Sequence, residues 1–560
     1  MLVICDFDGT ITNFDTLDFV IEKHYGKTMK ENFDNEVING DIDHDNQLRK
    51  VLIDMKYDMK DILQILNDQK LEVINHTFCD FYKKCIALNF DFYVLSSGFR
   101  EIIEYYLPYI PKDKIIANDF INFHSTTLKE HSVNKVLEVN RLSINKQKEV
   151  IYIGDGISDF SVVNDITYLY VKKNSHLEKY CDIQKVDYYK LFTNFTEIIV
   201  ENHLKLLSPG VVRVDENVLV SSSVQHVFMH RQPQFHTLYA ELSKMLRQLV
   251  CDDLDKYTTL FVTGSGTTSM DEVINAYVNE NMLILSNGMF GERWAEIANY
   301  YNKNDNNNIY VERNEWGVPF DKTLIEKSII HNNIKTVIVV HCDTSVGILN
   351  DIHGLGCLIK NIDKNIRYVV DSVSTFGGIP INMCESGIDI LVTNPNKALA
   401  SIMGIGIIIG RNRVLDELNH NSLSYSLNLK RHYKMALNNE TCNTCSISAM
   451  NGLLQALKER YSLGKKNVST YYHNYQEIFD MMYHGVEKEK LLNYEISCPC
   501  LITILSPSSQ NIINYLFSKG YVVYECKGKL LNLGFQVSFY GKDGNKKNIL
   551  HLIKVINEFI

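Results

Sequence analysis

LVICDFDGT, residues 2–10, is an apolar run that ends in two acids, a glycine and a threonine. A short continuous apolar run closed by turn residues reads as a strand buried on both faces, as in parallel sheets. Side chains alternate along an extended chain, so Asp6 and Asp8 lie on the same side, two residues apart. The same grammar recurs at IDILVTNPNKALA, residues 388–400, where Lys397 follows an apolar run. Further strands are expected at Phe92–Leu95, Val150–Ile153, Thr259–Val262, Met282–Leu285, Thr336–Val340 and Arg367–Val370, besides Leu2–Cys5 and Ile390–Val392. Most are followed at once by Gly, Ser, Asp or Thr, which is where parallel α/β sheets hold their ligands. Residues 15–78 read largely helical and form a candidate cap. The chain changes over near Asn202–Ser208, ahead of Leu207-Ser208-Pro209-Gly210, and each side then has its own strand-and-loop series.

A chain of 560 residues is too long for one core and accommodates about four packed lobes. With 57 basic against 67 acidic residues and a net charge of -10, there is no basic field to gather a polyanion, so nucleic acid is excluded as a partner. Thirteen scattered cysteines in a large chain read as reduced thiols, and neither Cys442/Cys445 nor Cys498/Cys500 has the companion pair that a zinc site needs. The opening residues lack the basic and apolar regions of a signal peptide. The longest apolar run, around Ala398–Ile408, is too short to cross a bilayer. A cytoplasmic protein without membrane contact is expected. NKNDNNN at 302–308 reads as an exposed loop.

Paired carboxylates after a first strand can divide labour. Asp6 attacks phosphorus to form an aspartyl-phosphate, while Asp8 protonates the leaving oxygen and later activates water. Ser96 and Lys135 then hold phosphoryl oxygens, and Asp155 in Gly154-Asp155-Gly156 binds Mg2+ with Asp6 and the Asp8 carbonyl. One aspartate after a strand is usually a cap or turn residue; four elements in this order are far more specific. They resemble the haloacid dehalogenase superfamily, in its phosphoserine-phosphatase-like branch. The resemblance implies a Rossmann-like core over residues 1–203 with a helical cap at about 14–88.

In the second half, Thr263-Gly264-Ser265-Gly266-Thr267-Thr268 follows a strand and precedes a helix, a cradle for a phosphate. Asp371 and Lys397, both after strands, supply a carboxylate for a pyridinium nitrogen and an amine for a Schiff base. The segments SNGMFGERW (286–294), HCDTSVGILN (341–350), VDSVSTFGGIP (370–380), NPNKALA (394–400) and SLSYSLNL (422–429) resemble class V aminotransferases of fold type I, especially the 2-aminoethylphosphonate:pyruvate and alanine:glyoxylate transaminases. The resemblance implies a pyridoxal 5'-phosphate enzyme over 204–560, with a large α/β domain and a small α+β domain mainly at about 460–560. It further implies that Lys397 carries the cofactor, Asp371 pairs with its ring nitrogen, Phe290 stacks on the ring and Thr344 reaches the ring hydroxyl. Ser265, Gly266, Thr267 and Asn396 would meet the phosphate, and Thr441 and Thr444 would touch the phosphate of the other subunit of a homodimer.

One departure bears on substrate. The family's carboxylate-binding arginine falls at Asn532 in KGKLLNLGFQVSF, and an amide does not replace a bidentate guanidinium. Either another base such as Lys529 or Arg231 takes the role, or the substrate lacks a carboxylate there, or the alignment shifts. The resulting expectation is a bifunctional enzyme acting on small molecules, a transaminase of 2-aminoethylphosphonate with pyruvate joined to a phosphate-monoester hydrolase. Phosphonatases of the first superfamily carry alanine in place of Asp8, which argues against C–P cleavage. The alternatives are a pyridoxal-phosphate lyase or decarboxylase, a transaminase of a phosphorylated amino alcohol, or one domain kept as a binding module.

Overall fold

The structure, a computed structural model, describes the chain except residues 39–49, 52, 70–71, 121–132, 147–148, 165, 226, 303–307, 420–421, 463–467, 488–490, 493–495 and 560. Much of the asparagine-rich 302–308 and part of the expected cap thus lie outside the described residues. Two compact units emerge, Met1–Leu204 with Ser518–Gly520, and Lys205–Phe517 with Tyr521–Ile560.

In the first unit β1 (Leu2–Cys5), β2 (Asp91–Phe99), β3 (Ile115–Asn118), β4 (Val150–Gly154), β5 (Tyr168–Lys172) and β6 (Lys190–Phe192) form a parallel sheet in the order β3-β2-β1-β4-β5-β6. All four residues of β1 are buried, because helices cover both faces and leave no solvent side to alternate toward. Burying each such Val, Leu or Ile contributes about 1.5–3 kcal/mol. The strand order reverses between β1 and β4, so a crevice opens beyond their carboxyl ends. Between β1 and β2 the chain forms helices Thr16–Tyr25, Lys27–Ile38, Met59–Asn67 and Phe78–Ala87.

The second unit is built on β7 (Tyr257–Gly264), β8 (Met282–Ser286), β9 (Ile309–Arg313), β10 (Thr336–Val340), β11 (Arg367–Asp371), β12 (Ile390–Thr393) and β13 (Gly404–Arg411). Their order is β9-β8-β10-β11-β12-β13-β7, with β13 antiparallel to both neighbours. A smaller antiparallel sheet of β14 (Leu501–Leu505), β15 (Tyr524–Glu525) and β16 (Gly534–Ser538) has a separate core with Tyr475, Phe479, Ile549 and Leu552. These are the mixed α/β sheets of fold type I. No described helix is long and apolar enough to cross a membrane, and the thirteen cysteines form no disulfide.

Candidate functional site

At the crevice of the first unit Asp6 follows β1 and Asp155 follows β4. Lys135 Nζ, almost wholly buried, lies 2.9 Å from Asp6 Oδ1, 2.6 Å from Asp159 Oδ1 and 2.9 Å from Ser158 Oγ. Carboxylate oxygens of Asp6, Asp155 and Asp159 lie within 4.8 Å of one another. Burial, then Asp159, pushes the Asp6 carboxyl well up; burial and the same neighbour push Asp155 up to about 6. Three crowded acids facing one ammonium leave negative charge that a divalent cation would balance.

Asp159 was not singled out from the sequence, and its oxygens are already engaged. Oδ1 accepts from Lys135 and, at 2.6 Å, from the Tyr152 hydroxyl. Oδ2 accepts from the Asp155 and Gly156 amides, both at 3.0 Å. Asp6 and Asp155 are therefore the freer cation ligands, and Asp159 fixes the Lys135 ammonium beside Asp6. The Asp8 carboxylate turns elsewhere. It accepts from Thr16 Oγ1 at 2.5 Å and the Thr16 amide at 3.1 Å, at the start of the first cap helix, with Ser96 Oγ 3.5 Å away. Gly9, at φ +71, and Gly98 leave the space that the Asp155 and Asp8 carboxylates fill, since a Cβ on either would overlap those oxygens.

In the second unit a cavity of about 330 Å3 opens at the carboxyl ends of the large sheet and is closed on one side by residues of the small one. Lys397, in the turn after β12, is 6% exposed, and its Nζ lies 3.4 Å from Thr344 Oγ1 and 3.3 Å from Ser374 Oγ. Burial holds its pKa below the usual lysine range. Asp371 closes β11, where burial raises its carboxyl. It accepts from Trp294 Nε1 at 2.9 Å and the Val373 amide at 3.0 Å.

Ser265, Gly266 and Thr267, at the start of helix Gly266–Tyr277, line the same cavity, as do Phe290, Thr344 and Asn396. Thr441 and Thr444 do not; their chain runs beside the Ser265 turn, with Thr263 Oγ1 3.5 Å from the Thr444 carbonyl. Nor does Asn532, whose φ of +63 places it in a left-handed turn before β16, a conformation asparagine tolerates. Lys529 sits over Trp316, and Arg231 pairs with Glu440 at 2.7 Å, so neither proposed substitute reaches the cavity.

Trp294, Asp343, Ser374, Arg293 and Lys527 were missed by sequence reasoning. Trp294 carried a usable signal, since it lies four residues after Phe290 and hence on the same helix face. Asp343, fully buried, accepts the Phe290 amide at 2.9 Å and the Gly291 amide at 3.1 Å, which anchors that helix start.

Residues 214–494 match the class-V aminotransferase family, and residues 3–163 match the haloacid dehalogenase-like hydrolases. The chain is similar to the 2-aminoethylphosphonate–pyruvate transaminase of Phocaeicola vulgatus, at 28% identity over 58% of this chain and 90% of the relative. It is 27% identical to a bifunctional phosphonoacetaldehyde hydrolase/aminoethylphosphonate transaminase of Clostridioides difficile, over 65% of this chain and 58% of that one. Among solved structures, alanine–glyoxylate aminotransferase from Nostoc sp. superposes with a TM-score of 0.57 at 22% identity, covering 63% of this chain and 94% of the other.

Class-V aminotransferases use pyridoxal 5'-phosphate, and the cavity fits it. It offers an amine, a carboxylate held by neutral donors and a phosphate-sized turn at a helix N-terminus. Asn394 Oδ1, at the wall beside Gly266, is buried with no partner among the described residues. Trp294→Phe should weaken retention of the cofactor about tenfold or more, because it removes one hydrogen bond to a buried carboxylate. Equilibrium dialysis followed by absorbance would show it, and unchanged retention would rule out that role for Trp294. Haloacid dehalogenase-like phosphatases use Mg2+, which the crowded acids around Asp6 suit. The chain belongs to the class-V aminotransferase family and carries a haloacid dehalogenase-like hydrolase domain within residues 3–163.

Proposed function

We propose that this bifunctional enzyme transaminates 2-aminoethylphosphonate with pyruvate in its second domain, 204–560, and hydrolyses a small phosphate monoester in its first, 1–203. The observation that carries the reading is one cavity holding the Lys397 amine, the Asp371 carboxylate and the Ser265–Thr267 turn. Bound there, pyridoxal phosphate supplies an electron sink for the substrate's α-carbon. The chain's own residues do the rest. Lys397 Nζ, favoured as the neutral amine by burial, would take the α-proton and pass it on to the cofactor's carbonyl-derived carbon. Thr344 and Ser374 orient that amine. Asp371, fixed by Trp294 and Val373, would keep the ring nitrogen protonated, while Ser265, Gly266, Thr267 and Asn396 would hold the phosphate.

Thr441 and Thr444 lie outside their own chain's cavity, which supports a homodimer in which each would complete the partner's phosphate site. A cytoplasmic setting accords with the unpaired cysteines.

In the first domain an Asp6 oxygen bonds to phosphorus as the ester oxygen departs with a proton from Asp8; water activated by Asp8 then releases phosphate. Ser96 and Lys135 would hold phosphoryl oxygens, and Asp6, Asp155 and the Asp8 carbonyl would hold a Mg2+ that offsets their charge. The acid at Asp8 favours an oxygen leaving group over the phosphonoacetaldehyde named for the Clostridioides difficile relative.

The deciding experiment is an absorbance scan of purified holoenzyme with single amines. Conversion of the cofactor to its amine form by 2-aminoethylphosphonate, reversed by pyruvate, is the expected result. Failure of 2-aminoethylphosphonate and alanine alike would sink this transaminase reading in favour of lyase chemistry.

A further inference from the structure

Arg293 lies in the second turn of helix Met289–Tyr301 and lines the cofactor cavity, with its guanidinium carbon 4.8 Å from the centre of the Phe290 ring. Lys397 Nζ lies 5.3 Å from that same ring. A guanidinium placed inside a cavity normally faces an acid, yet the carboxylates of Glu292, Asp343 and Asp371 are engaged elsewhere. Glu292 takes Arg313 at 3.1 Å and the Ser286 hydroxyl at 2.7 Å. Asp343 takes the Phe290 and Gly291 amides and the Ser345 hydroxyl. Asp371 takes Trp294 and Val373. Arg293 forms no ion pair among the described residues.

A second basic side chain, Lys527, reaches the same cavity from the segment after β15 and rests 5.0 Å from the Tyr524 ring centre, likewise without an acid among the described residues. The cofactor's phosphate has its own cradle at the Ser265–Thr267 turn, at the start of helix Gly266–Tyr277. In the sheet order β11 and β12, which lead to Asp371 and Lys397, lie between β8, which leads to Arg293, and β7, which leads to the Ser265 turn. The strand that leads to Arg293 and the strand that leads to the phosphate turn thus flank, in the sheet order, the strands that lead to Asp371 and Lys397.

We propose that Arg293 and Lys527 form the subsite for the acidic group of the amine substrate, replacing the arginine that the family places where this chain has Asn532. This rests on the transaminase reading above and specifies its substrate class, a small amine carrying an oxyanion. Arg293 presents a planar fork that fits two oxygens of a carboxylate or phosphonate. Lys527 adds a compact charge at the mouth, which a doubly charged phosphonate uses more fully than a carboxylate.

The test uses full-length holoenzyme and three amines, 2-aminoethylphosphonate, alanine and uncharged-tail propylamine, in single turnovers. Wild type should prefer the acidic amines. Arg293→Gln and Arg293→Lys should each raise KM for 2-aminoethylphosphonate about tenfold to hundredfold, so that its kcat/KM advantage over propylamine collapses. Lys527→Gln should raise KM for the phosphonate more than for alanine; an equal rise for both would overturn the assignment of Lys527 to a doubly charged group. A titration with methylphosphonate, read by tryptophan fluorescence, gives binding without turnover and should weaken in the same variants. Wild type that converts 2-aminoethylphosphonate, with Arg293 variants that keep its KM and methylphosphonate affinity, overturns the subsite alone. Wild type that converts no amine overturns the transaminase reading itself.

Discussion

Lys397→Ala should abolish transamination, slowing the conversion of 2-aminoethylphosphonate in single turnovers by at least about 10^4-fold, the upper range for a group that transfers a proton in the transition state. The magnitude follows from placement. Lys397 Nζ is buried against Thr344 and Ser374, and no other described lysine lining the cavity is sequestered from water, since Lys527 is exposed at the mouth. Lys397→Arg should fail nearly as completely, because a guanidinium keeps its proton at any working pH. Phosphate-ester hydrolysis by the same preparations is expected to persist, because Asp6, Asp8, Lys135 and Asp155 belong to the other compact unit. A Lys397→Ala protein that still converts the amine within tenfold of wild type would remove Lys397 from the reaction.

The sequence made the parallel strands legible for a physical reason. A strand covered on both faces must be apolar at every position, and the eight expected strands all appear, with Leu2–Cys5 and Thr336–Val340 at the expected bounds. The residues just past them, Asp6, Asp155, Asp371 and Lys397, were legible too, because strand ends are where these sheets place chemistry. β13 was not anticipated, although the apolar run around Ala398–Ile408 reaches into it, because glycines at 404, 406 and 410 mark turns as readily as strands. Strand β15 is only two residues long, and β15 and β16 draw their order from pairing and from the second core, neither of which a local pattern encodes. Among site residues, those that act through others stayed hidden. Trp294 and Asp159 gain their importance from partners 77 and 24 residues away. Asn532 illustrates the converse, since a family position transferred by alignment proved to be a turn residue outside the cavity.

Asp6→Asn should eliminate hydrolysis of phosphate esters, with a loss on the order of 10^4-fold or more, because an amide oxygen is a poor nucleophile and carries no charge for Mg2+. Removing the metal with EDTA should do the same, and added Mg2+ should restore activity. Asp8→Asn is the more informative change. Asp8 is held by Thr16 and Ser96, away from the Lys135–Asp6–Asp159 cluster, so the amide should seat without moving the nucleophile. What is lost is the proton for the departing oxygen, worth about 10^2–10^4-fold where that proton is needed. An alkyl phosphate, whose alkoxide leaves badly, should therefore lose the full factor in the first step. p-Nitrophenyl phosphate, whose phenolate leaves unaided, should keep a burst of one equivalent of nitrophenol and then stall, because the second step still requires water activated by Asp8. Equal loss of both substrates without a burst would mean that Asp8 only shapes the site, and the division of labour between the paired carboxylates would have to be given up.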